Sequence, residues 1–298
     1  MDGALLESLA LSPRERRAAV LGLIRGAQRR LALTVFRCND YAVLDEIGAA
    51  LDRGVRVDVL VNRRPRGWKR EPDGLPGVLT RMGARVHGYP RPDRSYHAKF
   101  LVADDGPGLV GSLNLTRGCF ERTVDFALVT HDPMVVYGLW QLFDLDCRGA
   151  AFDATPGASR LVVAPEQARQ RLTGLVAEAR SSVRILDHKL RDPAVLALLH
   201  ARRADGLEVD VLGKRDVLPY RAHGRMMLVD GQTAVIGSAA LSPRSLDTRR
   251  ELGILVRDPE LVQRLGAFLR WASNGGGDDA AWRAPGEPSC TPASSQPS

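Results

Sequence analysis

Hydrophobic and polar residues along the chain follow two periods, one typical of helices and one of strands. The first helix opens with Ser12-Pro13-Arg14-Glu15, a capping box with proline at the first helical position. The pattern of the first half predicts, in order, a helix to about residue 28, a strand at 31–36, a helix capped by Asn39 or Asp40 and ending at Gly54, strands at 55–61, 98–103, 109–111 and 124–129, and a closing helix at 132–145.

The order of elements returns in the second half, so the sequence contains an internal repeat. Gly54-Val-Arg-Val-Asp-Val-Leu matches Gly206-Leu-Glu-Val-Asp-Val-Leu, 152 residues later. His97-Ala-Lys-Phe-Leu-Val-Ala-Asp matches His223-Gly-Arg-Met-Met-Leu-Val-Asp, 126 residues later. The offset falls by 26 residues because the first half carries an extra segment before its histidine, with a predicted helix near residues 75–82. Strands alternating with helices predict an α/β layered fold in each half.

The segment that begins at His97 carries side chains suited to attack on a phosphodiester. His97 and Lys99 are two residues apart on a predicted strand and therefore point to one face. The imidazole can act as the nucleophile while the ammonium neutralises charge on the non-bridging oxygens. Ser112 and Asn114, just after Gly111, can donate hydrogen bonds to the same oxygens.

The second copy keeps this plan with two changes. Arg225 stands where the first copy has lysine, and Ala240 stands where the first copy has asparagine. Arginine can still bind phosphate with its bidentate fork, whereas the alanine removes one donor. Ser238 is retained as a second candidate for phosphate binding. Asp104 and Asp230 end the two matched segments, and we expect them to hold a turn rather than contact substrate.

A carboxylate follows each histidine at the same spacing. Asp125 lies 28 residues after His97, and Glu251 lies 28 residues after His223. A carboxylate bonded to the far imidazole nitrogen would fix the tautomer and stabilise the imidazolium ion. Both carboxylates are therefore candidate catalytic residues.

These residues together resemble the HKD signature of the phospholipase D superfamily, and the resemblance covers roughly residues 15–272. The segment from Gly237 to Gly253 is similar to the second motif of cardiolipin synthase-like members. The resemblance implies two lobes related by a pseudo-twofold axis, each a mixed β-sheet flanked by helices, with one active site at their interface. It also implies a phosphohistidine intermediate, attacked by water or an alcohol, with no metal and no other cofactor. In that scheme His97 is the nucleophile and His223 the general acid and base.

The repeat also sets the expected domain boundaries. They are a lead-in at 1–14, a first lobe at 15–150 with its motif at 97–114, a second lobe at 160–272 with its degenerate motif at 223–240, and a disordered tail rich in glycine, proline and serine at 273–298.

Composition bears on the substrate and the compartment. The formal net charge of +7 favours a polyanionic partner, either nucleic acid or an anionic lipid surface. Four cysteines without C-x-x-C spacing predict neither a zinc site nor a disulfide framework, and they fit a reducing compartment. No run approaches 18 apolar residues, so we expect a cytoplasmic protein with at most peripheral membrane contact. Five basic residues in the extra segment could steer phosphate: Arg63, Arg64, Arg66, Lys69 and Arg70.

Three functions remain open at this level. The first is a metal-independent phosphodiesterase or phosphatidyltransferase that acts on phospholipid. The second is an endonuclease that cleaves DNA or RNA, which the net positive charge favours. The third is a catalytically inactive phosphate-binding module, suggested by Arg225 and Ala240. The sequence does not indicate the oligomeric state.

Overall fold

The capping box at the start of the first helix forms as predicted. Ser12 accepts a hydrogen bond from the N–H of Glu15, and the Glu15 carboxylate accepts one from the N–H of Ser12 at 2.9 Å. Pro13 is the first helical residue, because its missing N–H costs nothing there. The structure is a computed structural model, and it describes residues 6–62, 74–153, 159–213, 217 and 220–274.

Helices and strands alternate along both halves. The helices are α1 (Pro13–Gly26), α2 (Tyr41–Asp52), α3 (Gly74–Arg81), α4 (Arg117–Glu121), α5 (Pro133–Arg148), α6 (Ala168–Glu178), α7 (Pro193–Ala204) and α8 (Pro259–Ser273), with a π-helical turn at Arg244–Thr248. The strands are β1 (Glu7–Ala10), β2 (Arg30–Val35), β3 (Arg56–Val61), β4 (Arg85–Gly88), β5 (Ser95–Tyr96), β6 (Phe100–Ala103), β7 (Gly108–Gly111), β8 (Thr123–Val124), β9 (Ala127–Thr130), β10 (Leu161–Ala164), β11 (Ser182–Leu186), β12 (Glu208–Leu212), β13 (Arg221–Ala222), β14 (Arg225–Val229), β15 (Thr233–Gly237) and β16 (Arg249–Val256).

The longer strands form two sheets, one for each half of the chain. The strand order is β1-β9-β7-β6-β2-β3-β4 in the first sheet and β10-β16-β15-β14-β11-β12 in the second. Both sheets are mixed: β2 pairs in parallel with β3 and antiparallel with β6, and β11 pairs in the same way with β12 and β14. The predicted α/β architecture of two repeated lobes is confirmed.

Two short pairings cross from one lobe to the other. β5 pairs in parallel with β16, and β13 pairs in parallel with β8. A shift of 126 residues converts one pairing into the other, so the crossing obeys the pseudo-twofold relation of the repeat. The segment predicted as one strand at 124–129 is therefore two strands, because β8 leaves the first sheet to meet the second lobe.

The hydrophobic core lies in three layers. One cluster packs α1, α2 and α3 on the first sheet, and a second packs α6 and α7 on the other sheet. The largest cluster is shared between the lobes and includes both sheets together with α5 and α8. Within it, the rings of Phe126 and Phe268 meet edge to face with their centroids 5.4 Å apart. The shared cluster fixes the two lobes against each other.

A buried ion cluster adds a polar contact between the lobes. Nε of Arg250, on β16, lies 2.8 Å from a carboxylate oxygen of Asp146, on α5. The same guanidinium also pairs with Glu166. Burial raises the pKa of Asp146 to about 7, although the charge of Arg250 acts in the opposite direction.

Within the described part of the chain, no helix is long and apolar enough to cross a bilayer. The five-residue basic cluster between β3 and α3 lies outside the described residues, and so do residues 275–298 of the predicted tail. Ser273 is the last residue of α8 rather than the first of the tail. Cys38, Cys119 and Cys147 are free thiols.

Candidate active site at the lobe interface

The crossing strands bring each histidine beside the other lobe. His97 follows β5, and its N–H donates to the carbonyl of Arg250 at 2.9 Å. His223 follows β13, and the N–H of the next residue, Gly224, donates to the carbonyl of Val124 at 2.8 Å. His97 therefore lies next to Glu251, within β16, and His223 lies next to Asp125, which follows β8.

His97 pairs with the carboxylate of the second lobe. Its Nδ1 lies 2.7 Å from Oε2 of Glu251, and Ser245 donates to the other carboxylate oxygen at 2.8 Å. Burial lowers the pKa of His97 to about 3, and the nearby Glu251 only partly offsets this. Burial alone would raise the pKa of Glu251, but His97 and Lys99 hold it below its usual range. At neutral pH the ring is neutral, so it donates its Nδ1 proton to Glu251 and keeps a lone pair on Nε2.

His223 pairs in turn with the carboxylate of the first lobe. Its Nδ1 lies 2.8 Å from Oδ1 of Asp125, which also accepts a hydrogen bond from Ser112 at 2.6 Å, while Thr123 donates to Oδ2 of the same carboxylate at 2.5 Å. Its Nε2 lies 3.3 Å from the amide nitrogen of Asn114. The His223 side chain is 24% exposed, whereas that of His97 is 8% exposed. The spacing of 28 residues identified both carboxylates but not their exchange between lobes.

Two buried cations accompany the histidines. Lys99 donates to the carbonyl of His97 at 2.8 Å, and burial lowers the pKa of this lysine to about 7. Its titration also responds to Glu251, Arg225 and Asp125, so the groups from both lobes share one electrostatic site. Arg225 is 5% exposed, and its Nε and Nη1 have no hydrogen-bond partner among the described residues. Nη1 thus has no acceptor in the described part of the protein, whereas Nε lies near the carboxylate of Asp187.

Asp187 is a site residue that the sequence analysis missed. It ends the buried strand β11, and one carboxylate oxygen lies 3.9 Å from Nε of Arg225. The other accepts the N–H of Leu241 at 2.6 Å. The corresponding residue of the first lobe, 152 positions earlier, is Val35. Where the second lobe has Arg225 in place of lysine, it also has a buried acid in place of Val35. These two differences between the repeats are the signal by which the sequence could have identified Asp187.

The two motif serines are bonded inside the protein. Ser112 accepts the N–H of Phe126 at 2.9 Å and donates to Asp125, and Ser238 accepts the N–H of Leu252 at 3.1 Å. Both serines are fully buried. Their contact with phosphate stays a prediction. In the structure their hydroxyl groups connect neighbouring backbone segments through hydrogen bonds.

Asp104 and Asp230 lie at the opposite ends of β6 and β14 from the histidines. The carboxylate of Asp104 accepts the N–H groups of residues 28, 29 and 30 at 2.8–2.9 Å. Asp230 accepts those of residues 180, 181 and 182 at 2.8–3.1 Å. Both have the left-handed backbone, with φ of 47° and 53°. Each aspartate ties the end of one strand to the start of its neighbour.

One group near His223 has the composition of a metal site. Cys119, Asp125 and His223 each offer a ligand atom, and these atoms lie within 4.8 Å of one another. Two of the three are already hydrogen-bonded to each other, and the Asn114 amide lies 3.8 Å from the thiol sulfur. In this structure the three side chains are thus arranged around the hydrogen bond between His223 and Asp125.

Comparison with known proteins covers both lobes. A family described as "Cardiolipin synthase, PLD-like domain" matches residues 20–147 and 160–271. Polyphosphate kinase 1 of Chlorobaculum tepidum is 26% identical in an alignment 270 residues long, which covers 78% of this chain and 38% of that protein. Mitochondrial cardiolipin hydrolase of Xenopus laevis is 31% identical in an alignment 129 residues long, which covers 40% of this chain and 58% of that protein. The chain thus spans less than two thirds of either relative.

Two solved structures share the fold. Polyphosphate kinase from Porphyromonas gingivalis superposes with a TM-score of 0.75 at 21% identity, covering 89% of this chain and 46% of that one. Phosphatidylserine synthase from Haemophilus influenzae superposes with a TM-score of 0.66 at 14% identity, covering 91% of this chain and 86% of that one. At these identities the likeness concerns architecture.

Proposed function

Because this chain belongs to the family of cardiolipin synthase, PLD-like domains, we propose that it is a phosphodiesterase or phosphatidyltransferase that works through a phosphohistidine, without a metal. The observation that carries the proposal is the pair of imidazole–carboxylate contacts exchanged between the lobes. His97 binds Glu251 at 2.7 Å, and His223 binds Asp125 at 2.8 Å. Two oriented imidazoles beside two buried cations are the groups that a phosphoryl transfer through a covalent intermediate requires.

In the first step Nε2 of His97 attacks phosphorus. The bond to the leaving oxygen breaks on the opposite side, and that oxygen takes a proton from His223. The product is a phosphohistidine on His97. Lys99 and Arg225 neutralise the charge that develops on the non-bridging oxygens.

In the second step water or an alcohol attacks the phosphohistidine. His223 removes the proton of the attacking hydroxyl, and the bond between phosphorus and Nε2 of His97 breaks. Water gives hydrolysis, and an alcohol gives transfer to a new phosphodiester. Both imidazoles then return to their starting protonation states.

The environments of the histidines support this assignment of roles. A nucleophilic imidazole must be unprotonated, and burial keeps His97 neutral by lowering its pKa to about 3. An acid and base must exchange protons with water, and the His223 side chain is the more exposed of the two. Asn114 also contacts His223, whereas the matching position beside His97 is Ala240, which has no amide.

For the substrate we favour a phospholipid. The family description and the Xenopus relative both name cardiolipin. Apolar surface is also present near the site: the Phe36 ring meets His97 edge to face at 4.8 Å. Tyr41 is 80% exposed, on a segment whose backbone bonds to Leu115, next to Asn114. The net charge of +7 supports nucleic acid as the alternative.

A substrate panel in EDTA tests the proposal. It contains vesicles of cardiolipin and phosphatidylglycerol, single- and double-stranded DNA, and inorganic polyphosphate, with His97→Ala as the blank. We expect chelator-resistant cleavage of vesicle lipid and a covalent phosphoprotein that His97→Ala does not form. Activity that EDTA removes and a divalent ion restores would contradict the metal-free scheme. Cleavage of DNA alone, with binding that falls steeply with salt, would establish the nuclease. Folded protein inactive on every substrate would establish the binding module.

A further inference from the structure

A cavity of about 460 Å³ opens on the second lobe, far from the histidines. It lies beside Asp230, seven residues along the chain from His223, which corresponds to about 20 Å at the rise of a strand. Its lining includes an apolar floor and three guanidinium groups: Leu228, Val262, Gly266, Arg184, Arg257 and Arg270.

The matching position of the first lobe is filled by a tryptophan. Trp140 lies on α5, 126 residues before Gly266 on α8, and both helices begin with an aspartate cap and a proline. The indole packs under the guanidinium of Arg30, 4.1 Å from it, and its N–H donates to the carbonyl of Asp104 at 2.9 Å. The cavity is therefore the space that an indole occupies in the other copy of the fold.

Glycine at the floor keeps this space open. A Cβ at Gly266 would lie 3.5 Å from Arg270 and 3.7 Å from Leu228, which is ordinary contact, so packing alone would allow alanine. A glycine inside a helix costs roughly 0.5–1 kcal/mol relative to alanine. The sequence carries this cost at Gly266, one of the residues that line the cavity.

The rim of the cavity carries uncompensated positive charge. Arg184 is paired with Glu208 at 2.9 Å, but Arg257 and Arg270 have no carboxylate within 4.0 Å among the described residues. Burial lowers the pKa of Arg171, and the charge of Arg257 lowers it further, so the positive field extends along this side. Asp230 also lines the cavity, but its carboxylate oxygens accept backbone N–H groups.

We propose that this cavity binds a mononucleotide. The base takes the place that the indole of Trp140 has in the first lobe, and the exocyclic amino group of the base donates to the carbonyl of Asp230. The phosphate meets Arg257 and Arg270, whose guanidinium groups suit phosphate oxygens. A flat ring with one anionic group matches both the shape and the charge of the site. The site is separate from the histidines and does not depend on the proposed activity.

Calorimetric titration with AMP tests the proposal, with adenosine, ribose 5-phosphate and inorganic phosphate as separate ligands. We expect one AMP per chain, with each of the three fragments at least about tenfold weaker. The double variant Arg257→Gln, Arg270→Gln should weaken AMP at least about tenfold. Arg14→Gln removes an exposed charge on the first lobe and should leave binding unchanged. His97→Ala should also bind AMP normally, which separates this cavity from the candidate active site.

Gly266→Trp fills the cavity with the residue of the first lobe. We expect it to fold, keep its activity and lose AMP binding. If it does not fold, the double arginine variant decides. The proposal is wrong if AMP fails to bind up to about 1 mM, if the double variant binds as well as the parent, or if inorganic phosphate binds as tightly as AMP. Loss of AMP binding in His97→Ala would place the nucleotide in the catalytic site and also overturn it.

Discussion

Among single residues, Lys99 has a charge that depends on pH in the working range. Burial lowers the pKa of its ammonium to about 7, so its positive charge is present below pH 7 and lost above it. We expect kcat/KM to fall as the pH rises through this value, because the neutral amine no longer stabilises the phosphoryl oxygens. Lys99→Arg keeps a charge at all accessible pH and should move this limb upward. If kcat/KM of that variant still falls at the same pH, the fall belongs to the titration of another group.

The turn aspartate Asp230 should contribute to stability and not to catalysis. Burial raises its pKa, but the bonds from three backbone N–H groups outweigh this and lower it to about 2. In the unfolded chain the value is about 3.9, so the stabilisation is present above about pH 4 and is lost as the pH falls through 2.

Asp230→Asn tolerates the left-handed backbone but removes the charge. We expect it to lower the free energy of unfolding by about 1–3 kcal/mol at pH 7, with the gap to the parent closing between pH 4 and pH 2. Thermal unfolding across this pH range measures it. Asp105→Asn is the control, because that side chain is 76% exposed and pairs with Arg29 and Arg30, which are themselves exposed. Equal losses in both variants would contradict the role of the turn.

Residue types at the site were predictable, whereas their partners were not. The repeat identified His97, His223, Asp125 and Glu251, because each recurs at fixed spacing. Spacing along one chain cannot show which carboxylate meets which imidazole when the meeting strands come from different lobes. Asp187 was missed because it breaks the repeat rather than keeping it.

At the scale of elements, the crossing of β13 onto β8 depends on a close backbone approach. A Cβ at Gly224 would lie 2.8 Å from the ring of Phe126 and 2.8 Å from Oγ of Ser112. Ser112 in turn bonds to Asp125, which orients His223. The glycine therefore permits the approach on which that imidazole depends.

Gly224→Ala should accordingly impair catalysis. We expect kcat to fall by at least about tenfold with little change in KM, because a misplaced acid and base acts mainly on the transition state. Overpacking should also lower the free energy of unfolding by about 1–3 kcal/mol. Ala98→Gly makes the reverse change at the matching position of the first lobe and should retain most activity. A fully active Gly224→Ala protein would show that the crossing tolerates displacement.

Local patterns predicted the capped helices and the interior strands and missed two edge strands. The strands β1 and β10 have four residues each and were not identified, although β6, β7 and β9, of the same length, were. Both are edge strands, held by pairing with β9 and β16 rather than by any pattern of their own. Pairing between distant segments is a tertiary effect that local periodicity does not encode.

At the scale of the whole molecule, the lobes are joined through the ion cluster around Arg250. Arg250→Met would leave Asp146, which is fully buried, without its cation, and Glu166 with Arg94 at 3.4 Å. We expect a loss of about 3–5 kcal/mol in the free energy of unfolding, measured with urea. Adding Asp146→Leu should recover part of it, because it removes the buried carboxylate that has lost its cation. A single variant within about 0.5 kcal/mol of the parent would show that the shared hydrophobic core alone holds the lobes.

The crossing of β5 and β13 gives this chain the geometry of a twofold dimer whose subunits have become one polypeptide. In a dimer of identical subunits, every substitution appears in both subunits, so an acid introduced on one side of the axis also appears on the other. A tandem chain is released from that constraint. The first lobe has Val35 and Lys99 where the second lobe has Asp187 and Arg225. Likewise Trp140 of the first lobe fills a space that Gly266 leaves empty in the second. A tandem chain of this kind thus allows one lobe to change while the other keeps its residues, so that each protein carries one altered copy of a site.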